Sequence, residues 1–158
     1  YRDGFEPISL EVSGGLYMPP LATLDTGIIL GAKAAAGNNA AVTFFDTNGL
    51  LVTPTTTPAS NPNLGSFRIN SLATPVGLPT GSTLKMTFVT STGLISGSFV
   101  LVDASGVKRT VPYYAMVIPD ASTAPMVTDG IGAGSFMLPG LIVSQPTKSG
   151  RVTIVPLP

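Results

Sequence analysis

The sequence predicts an all-β domain, a sandwich or flattened barrel of roughly nine to eleven mostly antiparallel strands. Three observations predict it. Short apolar runs alternate with polar residues along most of the chain. The 158 residues include 18 glycines and 15 prolines, spread between those runs without the fixed period of collagen. The stretch Thr92 to Ile118 reads as two long strands around the turn Asp103-Ala104-Ser105-Gly106, where Asp can bond its own backbone and Gly can take a positive φ. Its first arm carries Ile95, Phe99 and Leu101 on one face and Leu94, Val100 and Val102 on the other. Apolar residues on both faces predict a central hairpin covered on two sides.

Taken in order, the chain opens with a charged arm, Tyr1 to Glu6, which holds Arg2, Asp3 and Glu6. Ile8-Ser9-Leu10-Glu11-Val12 alternates cleanly and reads as a strand. Gly14-Gly15 and then Pro19-Pro20 interrupt pairing after it. Residues 1–13 therefore form an arm and strand that can be an edge of their own domain or be exchanged between subunits, and residues 14–158 form the β domain. Ile28 to Ala35 reads as a strand, with a short helix as the lesser option because Gly27 and Gly31 disfavour one. Ala41 to Phe45 is a strand, Asp46-Thr47-Asn48-Gly49 a hairpin turn, and Leu50-Leu51-Val52 its return. Thr53 to Asn63 carries Pro54, Pro58 and Pro62 and reads as extended loop, with the Thr/Ser/Pro content of O-glycosylated stalks as the alternative.

Gly65 to Ile69 is a short strand and Pro75 to Gly81 a loop. Thr83 to Thr90 is the cleanest alternation in the chain, with Leu84, Met86 and Phe88 inward. Ser91-Thr92-Gly93 turns into the long hairpin. Gly130 to Leu138, Leu141 to Ser144 and Gly150 to Val155 complete the strands. Gly-Ser-Phe recurs at 65–67, 97–99 and 134–136, without the fixed period of a repeat architecture.

Composition excludes several functions. Eight basic and eight acidic side chains leave no net charge, so the chain has no electrostatic handle for nucleic acid or an anionic membrane. Only 10% of residues are charged, which fits a surface covered by other subunits or glycans, or a polar surface of Thr, Ser, Gly and Asn. There is no Cys, His or Trp. That removes disulfides, thiolate chemistry, the commonest general base and the commonest transition-metal ligand. No apolar run of about 18 residues is present to form a spanning helix. The chain begins at Tyr1 rather than Met, which reads as a processed form or a fragment, and a mature secreted protein fits that start.

No constellation carries chemistry. Gly130-Ile131-Gly132-Ala133-Gly134 lacks the last glycine of a dinucleotide loop and no helical pattern follows, so its glycines are read as allowing close backbone approach. Asp25, Asp46, Asp103, Asp120 and Asp129 fall in turns, where Asp has a conformational job. Asp120 and Asp129 offer a calcium site no supporting loop motif. Ser98 and Ser135 have no His to activate them, and Ser-Lys catalysis survives only formally through Lys33, Lys85, Lys108 or Lys148. Catalytic residues, cofactors and metals are therefore expected to be absent. Two binding regions stand out. Ile8, Leu10 and Val12 are the candidate assembly interface. Arg109, Tyr113 and Tyr114 are the candidate ligand or partner surface, since Tyr and Arg favour interfaces; the alternative is one Tyr in the core and the other capping the sheet.

Thr92-Gly93-Leu94, Ser96-Gly97-Ser98-Phe99, Lys108-Arg109-Thr110-Val111, Met116-Val117-Ile118 and Gly132-Ala133-Gly134-Ser135-Phe136-Met137-Leu138-Pro139 resemble a β-rich module (TGxFSGSF, KRTV, GxGxFLLP) of large secreted or surface proteins of environmental bacteria. Tyr113, Tyr114 and Ala115 depart from its pattern. The resemblance implies an extracellular building block and no enzymatic role. The functional expectation is a secreted, self-associating structural subunit of a filament, fibre or surface layer, a homo-oligomer or homopolymer at the cell surface. The alternative is a carbohydrate-binding or adhesion module.

Overall fold

The computed structural model describes residue 17 and residues 40–46, 49–50, 66–69, 75–76, 82–89, 91–102, 106–118, 131–138 and 148–156. The expected strands at Ile8–Val12, Ile28–Ala35 and Leu141–Ser144, and the Thr53–Asn63 loop, lie outside these residues. The described part is all-β. Six strands form one antiparallel sheet: β1 (Ala40–Asp46), β5 (Lys85–Val89), β6 (Leu94–Val102), β7 (Lys108–Ile118), β8 (Ile131–Leu138) and β9 (Lys148–Pro156). Their order is β1-β9-β8-β7-β6-β5. Three short segments flank β1. β2 (Gly49–Leu50) and β3 (Ser66–Ile69) pair with it, and β4 (Pro75–Val76) pairs with β3.

The hairpin of β6 and β7 matches Leu94 with Met116 at one end and Val102 with Lys108 at the other. Gly106, in its turn, has φ 83°, the conformation that Gly tolerates and other residues resist. Pro112 sits inside β7 without an N–H to donate. The pairing explains how: the β7–β8 ladder starts at Tyr113, so at Pro112 β7 is an edge on that side. The sequence places Pro75 in a loop, yet it forms part of β4 against Ile69. A two-residue strand paired on one side is where a sheet accepts proline.

Side chains of one register row point to the same face, and alternate rows are buried. Val42, Phe44, Phe88, Ile95, Phe99, Val111, Tyr113, Val117, Phe136, Val152 and Ile154 all turn inward. Leu84 and Phe88 are buried and Met86 half-buried, as their alternation predicts. The inner side of the long hairpin is buried as expected; on its outer side Val100 and Val102 are half-buried, and Leu94, Tyr114 and Met116 are exposed.

The sheet curls into a half-barrel. Phe44 lies on β1 and Phe99 on β6, four strand steps apart, or roughly 19 Å across a flat sheet. Their ring centroids are 4.6 Å apart. Phe136 meets Phe44 at 5.9 Å and Phe99 at 5.6 Å, both edge-to-face. Tyr113 meets Phe44 at 5.2 Å in the same geometry. The inner face is thus closed over a four-ring cluster.

Glycine makes that closure possible. One inner row runs Met86, Gly97, Tyr113, Phe136, Gly150 across five strands. A Cβ at Gly97 would collide with the Lys85 carbonyl and the Tyr113 ring, and one at Gly150 would enter the Phe136 ring. The two large rings lie over the two bare backbones. In the neighbouring row Gly134 lets β8 approach the β7 backbone at Tyr114 and Ala115. Gly97 and Phe99, and likewise Gly134 and Phe136, are two residues apart on the inner face. This gives the recurring Gly-Ser-Phe a physical sense: room, then an outward serine, then a core ring. Phe67 of the first copy is buried too.

Gly97→Ala should therefore destabilise the fold by about 1–3 kcal/mol, as overpacking does. Alanine at an unobstructed strand glycine would instead stabilise by about 0.5–1 kcal/mol. Urea unfolding gives the sign. In the same assay Phe99→Ala should cost about 3–5 kcal/mol.

Candidate functional site

The residues singled out as a ligand surface do not come together. Successive strand residues face opposite ways, so Tyr113 and Tyr114 cannot share a face. Tyr113 is fully buried. Its hydroxyl donates to the Lys85 backbone carbonyl at 2.9 Å, crossing Gly97 to tie β7 to β5. Burial pushes its phenol far above the usual range. It is a core residue with a satisfied polar tip, which removes it from the surface. Arg109 has the inward parity of Tyr113, pairs with Leu101 near the hairpin turn and is half-buried. Tyr114 alone faces outward, 62% exposed. Ile8, Leu10 and Val12 lie outside the described residues.

Tyr114 is the centre of a register row on the outer face: Thr87, Ser96, Tyr114, Ser135, Arg151, Phe45. Its cross-strand neighbours are hydroxyls on both sides. At the far end the Arg151 guanidinium lies 4.8 Å from the Phe45 ring centroid, a cation–π pair between β9 and β1. The adjacent row carries Val89, Leu94, Met116 and Ala133, the first three exposed. Met137 and Val155 add further exposed apolar side chains. The outer face is an apolar and hydroxyl-bearing surface with few charges. It can stack, pack and donate hydrogen bonds; among the described residues it presents no acid–base pair.

Two features are not legible in the sequence. The Arg151–Phe45 pair depends on joining β1 to β9, strands more than 100 residues apart, and parity alone gives no such partner. Tyr17 rests on the turn after β5: a Cβ at Gly93 would lie 2.8 Å from its ring. Tyr17 is half-buried, and desolvation raises its phenol pKa. Its flanks, between Gly14-Gly15 and Pro19-Pro20, carry no signal for that contact.

Among the described residues no group of His, Cys, Asp or Glu is placed to hold a metal ion, and no helix is long and apolar enough to cross a membrane. Asp120 and Asp129 lie outside them. Compared with protein-family models, curated proteins and solved structures, the chain matches none.

Tyr113→Phe should cost about 0.5–1.5 kcal/mol by removing the bond to Lys85. It should also change the alkaline response. A buried phenol whose pKa is raised holds its proton longer folded than unfolded. Its contribution is complete below the unfolded value, about 10, and falls as pH rises above it. Chemical denaturation at pH 9 and 11 should show a smaller alkaline loss in Tyr113→Phe than in the parent. Tyr114→Ala should stay within about 0.5 kcal/mol of the parent in the same assay, because its ring faces solvent.

Proposed function

We propose that this chain is a structural subunit of an extracellular assembly, a filament, fibre or surface layer built by β-strand and apolar-face association. One observation carries the reading: the outer face presents a continuous apolar row, Val89, Leu94 and Met116, in register across β5, β6 and β7. Exposed Met116 and Leu94 side by side on a chain with no net charge favour packing against another surface. The inner face is filled by its own rings, so association falls to the outer face and the strand edges. Nothing in this role requires catalysis.

The resemblance to the module of large surface proteins belongs to the same proposal, as does a place outside the cell. So does the fuller architecture, a sandwich or flattened barrel of roughly nine to eleven strands, in which further strands extend the half-barrel. The N-terminal segment Ile8–Val12, donated to a neighbour, is the strand component of the association.

A second reading has its own observation. Tyr114 is an exposed ring flanked in register by Ser96 and Ser135. A flat aromatic face with hydroxyls on either side suits stacking on a sugar ring, which supports a carbohydrate-binding or adhesion module.

Light scattering and negative-stain microscopy separate the two. Under the first reading the intact chain forms polymers, and deletion of residues 1–13 abolishes them. A strict monomer at high concentration contradicts it. Retention on immobilised polysaccharide that is lost in Tyr114→Ala would then establish the second.

A further inference from the structure

We infer that β5 is an acceptor edge and that it takes Ile8–Val12 of a second copy of this chain as an antiparallel strand. The inference rests on the assembly reading and names its contact. β5 pairs with β6 on one side, and among the described residues no strand pairs with its other side. Its inward positions, with Leu84 just before it, are Leu84, Met86 and Phe88; its outward positions are Lys85, Thr87 and Val89, all exposed. The donor alternates in the same way, with Ile8, Leu10 and Val12 on one face and Ser9 and Glu11 on the other.

One antiparallel register satisfies every position. Ile8 falls opposite Phe88, Leu10 opposite half-buried Met86 and Val12 opposite Leu84, extending the inner apolar rows by one strand. Ser9 then falls opposite Thr87, and Glu11 opposite Lys85. A slip of one residue would turn the apolar set outward. A slip of two keeps the faces but moves Glu11 from Lys85 to Thr87 or Thr83. With only 10% of residues charged, this match of opposite charges is the feature that selects the register.

Pairing with its own β5 is constrained by where Tyr17 sits. Tyr17 sits on Gly93, whose N–H donates to the Val89 carbonyl at 2.9 Å, so Tyr17 marks the Val89 end of β5. Val12 is five residues earlier, a reach of about 17 Å. A continuous run back along its own β5 from that end would be parallel to it, and the antiparallel register within one chain would need residues 12–17 fully extended along the whole length of β5. Every described pairing in the sheet is antiparallel, and a second copy can approach in that sense.

The chain has no cysteine, so engineered pairs report without background. Ser9→Cys in one chain and Thr87→Cys in another, mixed and mildly oxidised, should give a disulfide-linked heterodimer. Lys85→Glu in the acceptor should lower its yield about two- to fivefold, the size expected of an exposed ion pair, and Glu11→Lys in the donor should restore it. If a chain carrying both cysteines links only within itself, the inference is overturned and the arm closes its own β5. If polymers form and vanish on deletion of residues 1–13 but no link forms, β5 is not the acceptor and the assembly reading stands. Absence of both polymers and links defeats the two together.

Discussion

Tyr113 and Phe136 stand side by side on the inner face, and both rings need the space that Gly97 and Gly150 leave. The rest of the sheet follows from this arrangement. With Tyr113 lying over Gly97, its hydroxyl reaches the β5 backbone; with Gly134 bare, β8 can approach β7 closely. The curl brings Phe44 on β1 against Phe99 on β6. A flat sheet would leave those rings far apart and their inner surface open to water. The curvature is thus stabilised by aromatic burial and permitted by glycine, in the way curved sheets require.

Filling the inner face with its own side chains fixes where the described part of the molecule can meet other molecules. A large curled sheet can enclose a ligand, but here the four rings occupy the space. The outer face offers an aliphatic row beside a row of hydroxyls around Tyr114, and among the described residues β5 is paired on one side only. An outward lysine on an edge strand discourages indiscriminate pairing, and an opposite charge across from it offsets that penalty.

Much of this is legible in the sequence, for physical reasons that differ by element. The long hairpin shows itself through residue type and a turn ending in Gly106, and Leu84, Met86 and Phe88 announce their face by strict alternation. The glycine-rich run at Gly132 and Gly134 reads as a point of close approach, and Gly134 is one. Local pattern does not carry pairing between distant strands. Nothing near Phe45 names Arg151, and nothing near Phe44 names Phe99. The candidate surface fails for a simpler reason. Tyr113 and Tyr114 are adjacent, and a strand sends adjacent residues to opposite faces, so parity alone keeps one of them off any shared surface. The apolar residues on the outer side of β6 and β7 are harder to read, because burial on two faces and an exposed apolar face look alike in sequence.

Closure of the sheet sets the packing of its inner face, and ring-to-ring proximity reports it directly. Proton NMR on protein with phenylalanine rings selectively labelled would show whether Phe44 and Phe99 exchange magnetisation through space. Cross-peaks are expected between these two rings and from both to Phe136. Cross-peaks confined to adjacent strands, with none between Phe44 and Phe99, would mean an open sheet and would contradict closure.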